Sequence, residues 1–223
     1  MELTKEQLLQ IDNYIFVCGI QYYDVRTEVV DHFANILEQK LDENPDLNFK
    51  REIENIHRNF SDRGFSNLLK EKTKSVEKKF YKSSFKHLIT FFKLPKIIIS
   101  IALFYILFLL MNLFDNKENY FQVLTGLGLI LIFIFGVLHK KKKKKHLFLA
   151  LNMNNSLFQF AVNSIICFNS VTVFRTSESF INPIFNNIQL ALYVLVLLFF
   201  WSCKSVFFQN KECLKKQYPK VIV

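Results

Sequence analysis

Six consecutive lysines, Lys140, Lys141, Lys142, Lys143, Lys144 and Lys145, bracketed by His139 and His146, lie between long apolar stretches. No hydrocarbon interior admits them. A lysine at the centre of a spanning helix costs about 2.5 to 3.5 kcal/mol on insertion scales, so the run stays in water, and the positive-inside preference places it on the cytoplasmic side. The apolar stretches on either side must then enter and leave the bilayer in an order this run dictates.

Residues 97–114 form the first predicted span, interrupted only by Ser100, Tyr105 and Asn112 and reaching about 27 Å as a helix. Asp115, Asn116, Lys117, Glu118 and Asn119 leave room only for a tight turn, so a second span over residues 121–138 returns antiparallel. After the lysine run, residues 147–174 are apolar but carry Asn152, Asn154, Asn155, Gln159, Asn163 and Asn169. The spanning part is predicted at 155–174, with the residues before it lying in the interface. Asn155, Gln159 and Asn163 recur at every fourth position, which predicts an interhelical polar stripe turned away from lipid. The last span is predicted at 184–203, with Asn182 as N-cap, Pro183 at the first helical position and Trp201 near the inner interface. The two outer loops then contain only Lys117 and Arg175 as cations, so the charge pattern predicts four spans with both termini cytoplasmic. On this reading the membrane domain covers 97–208 and a basic cytoplasmic tail covers 209–223.

Before residue 97 the composition changes. Fifteen of the 19 acidic residues lie there; residues 1–69 carry 7 Lys and Arg against 13 Asp and Glu, while residues 70–96 carry 9 against 2. An acidic head on a basic juxtamembrane neck excludes the single basic face of a nucleic-acid domain, so no direct nucleic-acid binding is expected. The neck suits anionic lipid, where each lysine contributes about 1 kcal/mol within a Debye length. Residues 1–25 contain no uninterrupted apolar run of the secretory type, so the head is expected in the cytoplasm. Cys18, Cys167, Cys203 and Cys213 show no C-x-x-C or metal-ligand spacing and are expected as reduced thiols.

The head reads as helices. Thr4 and Gln7 form a capping-box pattern ahead of Leu8, Leu9, Ile11, Ile15 and Phe16, and this helix is expected to end near Gly19. Asp24 is the predicted cap of a second helix carrying Val25, Val29, Phe33, Ile36 and Leu37 on one stripe up to Asn44 and Pro45. Asn48 opens a third with Phe49, Ile53, Ile56 and Phe60, and a basic helix follows from about Phe65. The fold class expected is therefore all-α: a small cytoplasmic helical domain followed by a four-helix transmembrane bundle.

Chemistry is sparse. Glu28, Asp31 and His32 are the one carboxylate and imidazole cluster of the head, and His57 could supply a further ligand. H-E-x-x-H is absent, so no metal and no cofactor are expected. No Asp, Glu, Lys or Arg falls within the predicted spans, which argues against a proton-coupled carrier. No set of nucleophile, base and orienting group is recognisable, so no enzymatic activity is expected.

Asp24, Val25, Arg26, Thr27, Glu28, Val29, Val30, Asp31 and His32 make an acidic amphipathic helix. A second helix follows, then the turn Phe60, Ser61, Asp62, Arg63, Gly64, Phe65, and a basic helix leading to the bilayer. Over residues 1–80 this arrangement resembles the HAAS-like helical cytoplasmic domains of bacterial membrane proteins. The resemblance implies a bacterial inner-membrane location, a non-enzymatic signalling or protein-interaction module, and a cytoplasmic partner of the PadR-like regulator type. The alternative class is a small permease subunit or transporter accessory using the Asn155, Gln159 and Asn163 face as its lining. The mechanism expected is conformational: a change in the bundle alters whether the acidic head docks on the basic neck and loop or is free for a protein partner.

Overall fold

A computed structural model describes residues 2–60, 65–140 and 148–218. The helices are α1 (Lys5–Val17), α2 (Tyr23–Glu43), α3 (Phe49–Phe60), α4 (Phe65–Ile89), α5 (Ile97–Asn112), α6 (Lys117–Lys140), α7 (Leu149–Phe174), α8 (Ser177–Ile181) and α9 (Pro183–Gln217), with a 3-10 turn at Thr90–Phe92. Among the described residues there is no strand, and the fold is all-α. The chain divides into two compact units, one made of Met1–Lys78 with Lys145–Asn152 and the other of Lys79–Lys144 with Met153–Val223.

In the first unit α1 begins as its residues dictate. The Thr4 hydroxyl accepts from the Gln7 N–H at 3.2 Å, and the Gln7 side chain accepts from the Thr4 N–H at 2.8 Å. Thr4→Ala should therefore destabilise this unit by about 1 kcal/mol, read as a lowered unfolding midpoint. An unchanged midpoint would show that the box contributes nothing. Gly19, at φ 104°, takes a conformation open to a residue without Cβ and reverses the chain after α1. α2 starts at Tyr23 with Tyr22 as its N-cap residue, two positions before the expected cap Asp24. Arg26 Nε donates to Asp12 Oδ1 at 2.7 Å and ties α2 to α1. The core collects Ile11, Ile15, Val25, Val29, Phe33, Leu37, Ile53, Ile56 and Phe65, with Leu68, Leu69 and Val76 packed against it. Of these, Val76 lies beyond residue 69, so the basic neck carries part of the apolar seam of a unit that extends to Lys78.

In the second unit α5 packs on α9, and α8 packs against both α6 and α9. Between Phe92 and Ile97 the chain turns through 80°. The Ser100 hydroxyl donates to the Phe91 carbonyl at 2.9 Å and Lys96 Nζ to Thr90 Oγ1 at 3.3 Å, which fixes this elbow. One apolar cluster gathers Met111, Tyr120, Phe121, Leu124, Ile165, Phe180, Leu190 and Tyr193. A smaller one joins Leu88 and Phe91 to Val194 and Leu198.

α7 and α9 are long and apolar enough to cross a membrane, and a third crossing results if α4 and α5 count as one bent span. Several expected boundaries move. α5 stops at Asn112 instead of 114 because Lys117 Nζ folds back to donate to the Met111 and Phe114 carbonyls, at 3.0 and 2.6 Å, satisfying two acceptors at its C-terminal end. α6 begins at Lys117, so part of the expected five-residue turn is already helix. α7 starts at Leu149, six residues before the expected span, and α9 continues through the basic tail to Gln217. Lys215 and Lys216 in its last turn complement the helix dipole.

Candidate functional site

The first turn of α7 belongs to the helical head. The Leu149 N–H points between both oxygens of Asp24, 3.1 Å from each, although the two residues are 125 positions apart. The same carboxylate accepts from the Val25 N–H at 3.0 Å. Asn152 Nδ2 donates to Tyr22 Oη at 3.0 Å, and the Phe148 and Tyr23 rings lie 5.7 Å apart. Leu149 is 1% exposed and sits in the same apolar cluster as Ile11, Phe33 and Phe65.

Each part follows from local chemistry. A helix N-terminus presents N–H groups with no partner in the helix and a partial positive charge, so a carboxylate placed there is favoured on both counts. Asp24, in the first turn of α2, supplies it to α7 from a distant part of the sequence. An apolar side chain beside that polar contact locks the segment into the core. The arrangement clasps the start of α7.

Burial pushes the Asp24 carboxyl above its ordinary value, an effect opposed by the N–H groups of Leu149, Val25 and Ala150. A carboxyl whose pKa is raised on folding takes up a proton, so its contribution to stability is present at low pH and is lost as pH rises through the folded pKa. His57 has the opposite sign. Burial lowers it, so the unit loses stability as pH falls through the ordinary histidine range. Asp24→Asn separates the two effects. The wild-type melting midpoint should gain on that of Asp24→Asn as pH is lowered from about 7 to about 4.5, and a difference that ignores pH would refute the assignment.

No family model, no curated protein and no solved structure matches the chain.

The residues singled out from the sequence fall in different places. His57 does not approach Glu28 and His32. Its Nδ1 lies 2.9 Å from Tyr14 Oη and 3.8 Å from Cys18 Sγ, and its ring stacks on Phe65 at 4.3 Å, joining α1, α3 and α4. Burial foremost, with Cys18 adding to it, pushes Tyr14 up to about 12. Glu28, Asp31 and His32 line an open groove of about 440 Å³ with Asn35, Leu68 and Lys72, and Lys72 Nζ meets Glu28 Oε1 at 2.5 Å. Among the described residues no group of three or more His, Cys, Asp or Glu side chains is placed to hold a metal ion. Lys140 closes α6, while Lys141 to Lys145 lie outside the described residues.

Asn155, Gln159 and Asn163 are exposed on α7. The buried amides are Asn186 and Gln189, which meet Arg175. Arg175, in the turn between α7 and α8, donates to Gln189 Oε1, to Asn186 Oδ1 at 2.8 Å, to the Ser179 carbonyl at 2.6 Å and to Ser179 Oγ at 3.1 Å. Gln189 Nε2 continues to Thr172 Oγ1 at 2.8 Å, and the guanidinium lies 4.0 Å from the Phe180 ring centroid. Sequence reading placed Arg175 in an outer turn and missed this network. The available signal was amides three positions apart on α9, Asn186 and Gln189, beside a lone cation.

Proposed function

We propose that the chain is a four-span membrane protein whose N-terminal helical domain is a non-enzymatic cytoplasmic interaction module, regulated by release of the first turn of α7. The observation that carries this reading is the Leu149 N–H held by both Asp24 oxygens, with the Leu149 side chain in the head core. α7 is a single helix from Leu149 to Phe174, so the clasped turn is the start of a candidate membrane-crossing helix. A shift of that helix in the bilayer would withdraw Leu149. It would uncover Tyr22, Tyr23 and Asp24 for a partner that offers a helix N-terminus and an apolar side chain. A PadR-like regulator fits by resemblance alone.

The lysine run immediately precedes the clasped segment in sequence, so its attraction to anionic lipid competes with the clasp and weakens with salt. Both termini and the lysine run are assigned to the cytoplasmic side on the charge pattern, and the bacterial inner membrane rests on the resemblance alone.

Crosslinking in membranes followed by affinity capture tests the reading. Wild type, an Asn152→Ala chain, which loosens the clasp but keeps Asp24, and a chain lacking residues 1–69 would be compared. A cytoplasmic protein enriched with Asn152→Ala and lost on deleting the head is the expected result. Equal capture by all three chains would defeat it, as would a sole partner retained without the head.

A further inference from the structure

Gln159 and Asn163 are exposed on α7, and among the described residues neither has a hydrogen-bond partner. α7 is apolar enough to cross a membrane and only 22% of its apolar window is buried inside its unit. Two primary amides one turn apart therefore face the surroundings of a candidate span, with exposed Asn155 one turn before them and exposed Cys167 one turn after. Facing lipid, each amide would keep unsatisfied donors and acceptors in a medium that offers none.

We propose that this face is a homodimer interface in which α7 packs in parallel against α7 of a second copy. This rests on α7 spanning a bilayer. The occupant follows from the chemistry. A primary amide carries two donors and one acceptor oxygen, so it is complementary to another amide and most simply to itself. Copies of one chain inserted with one topology present α7 in the same direction, and a two-fold axis along the helix then sets Gln159 opposite Gln159 and Asn163 opposite Asn163. α7 carries no glycine for the closest backbone approach, since Gly126, Gly128 and Gly136, the three glycines after residue 64, all fall on α6. Gly128 faces Ile165 of α7 within the same chain, so that contact serves packing inside the unit and leaves the amide face for the second copy.

Cys167 makes the test direct. With Cys18, Cys203 and Cys213 replaced by Ser, mild oxidation of the full chain in its membranes should give a disulfide-linked dimer through Cys167. Gln159→Leu with Asn163→Leu should reduce its yield at least about tenfold while the chain stays in the alkaline-extracted membrane pellet. A cysteine at Leu192, exposed on α9, should not crosslink in a Cys167→Ser background. Failure of the chain to pellet with membranes would defeat the spanning assignment itself. A pelleted chain that stays monomeric, a dimer indifferent to the Leu pair, or Cys167 crosslinked to a different protein would overturn the interface alone. So would rapid reaction of a cysteine at Asn163 with a charged thiol reagent, which would mark a water-lined face.

Discussion

Leu149→Asp should abolish cooperative folding of the helical head or lower its unfolding midpoint further than any other substitution on α7. The side chain is 1% exposed in the cluster of Ile11, Phe33 and Phe65, so the change removes apolar burial and also leaves a carboxylate close to Asp24. Truncation alone, as Leu149→Ala, costs about 2 to 5 kcal/mol in a packed core. A buried unpaired charge adds several more. Leu149→Met, which nearly conserves volume, should cost under about 1.5 kcal/mol. Hydrogen exchange reads the result residue by residue, with amides of α1 and α2 losing protection in Leu149→Asp and keeping it in Leu149→Met. Unchanged protection in the Asp variant would mean that residues 148–152 lie on the head without belonging to its core.

The second large effect is at Arg175. Its guanidinium donates to four acceptor atoms, and two of these belong to the buried amides Asn186 and Gln189. Arg175→Leu leaves those oxygens without a donor, at about 1 to 3 kcal/mol each. Arg175→Lys should recover only part of that loss, because an ammonium cannot serve the fork of acceptors that a planar guanidinium reaches. Thermal melts in detergent should rank wild type above Lys and Lys above Leu. A Lys variant as stable as wild type would reduce the network to a generic positive charge.

The head was largely legible in the sequence because its signals are local. Thr4 with Gln7, the stripe from Val25 to Leu37 and the Asn48 start all depend on residues within one or two turns of each other, and each lies close to where its pattern put it. Asn182 ahead of Pro183 was readable for the same reason. What escaped were long-range contacts. Asp24 looked like an ordinary cap because nothing nearby in sequence announces a helix start 125 residues on. The exposure of Gln159 and Asn163 was not readable either, because position on a helix wheel does not say which face meets the rest of the chain. Gln189 and Asn186 looked unexceptional on α9 until the turn after α7 brought Arg175 to them. The end of α5 moved because Lys117 reaches back for its carbonyls, a choice a hydropathy pattern does not register.

The clasp also sets a schedule for biosynthesis. The head core includes a residue that leaves the ribosome 125 positions after Asp24, so the domain synthesised first cannot complete itself first. At about 5 to 20 residues per second that interval lasts roughly 6 to 25 s, during which α5 and α6 emerge while the Leu149 site stands open. Closing a loop of this length costs on the order of 4 kcal/mol in chain entropy if the intervening segment is free. Helices already formed between the ends shorten the effective loop and reduce that cost. A head core filled by Leu149 therefore requires that every residue from 24 to 149 has already been synthesised.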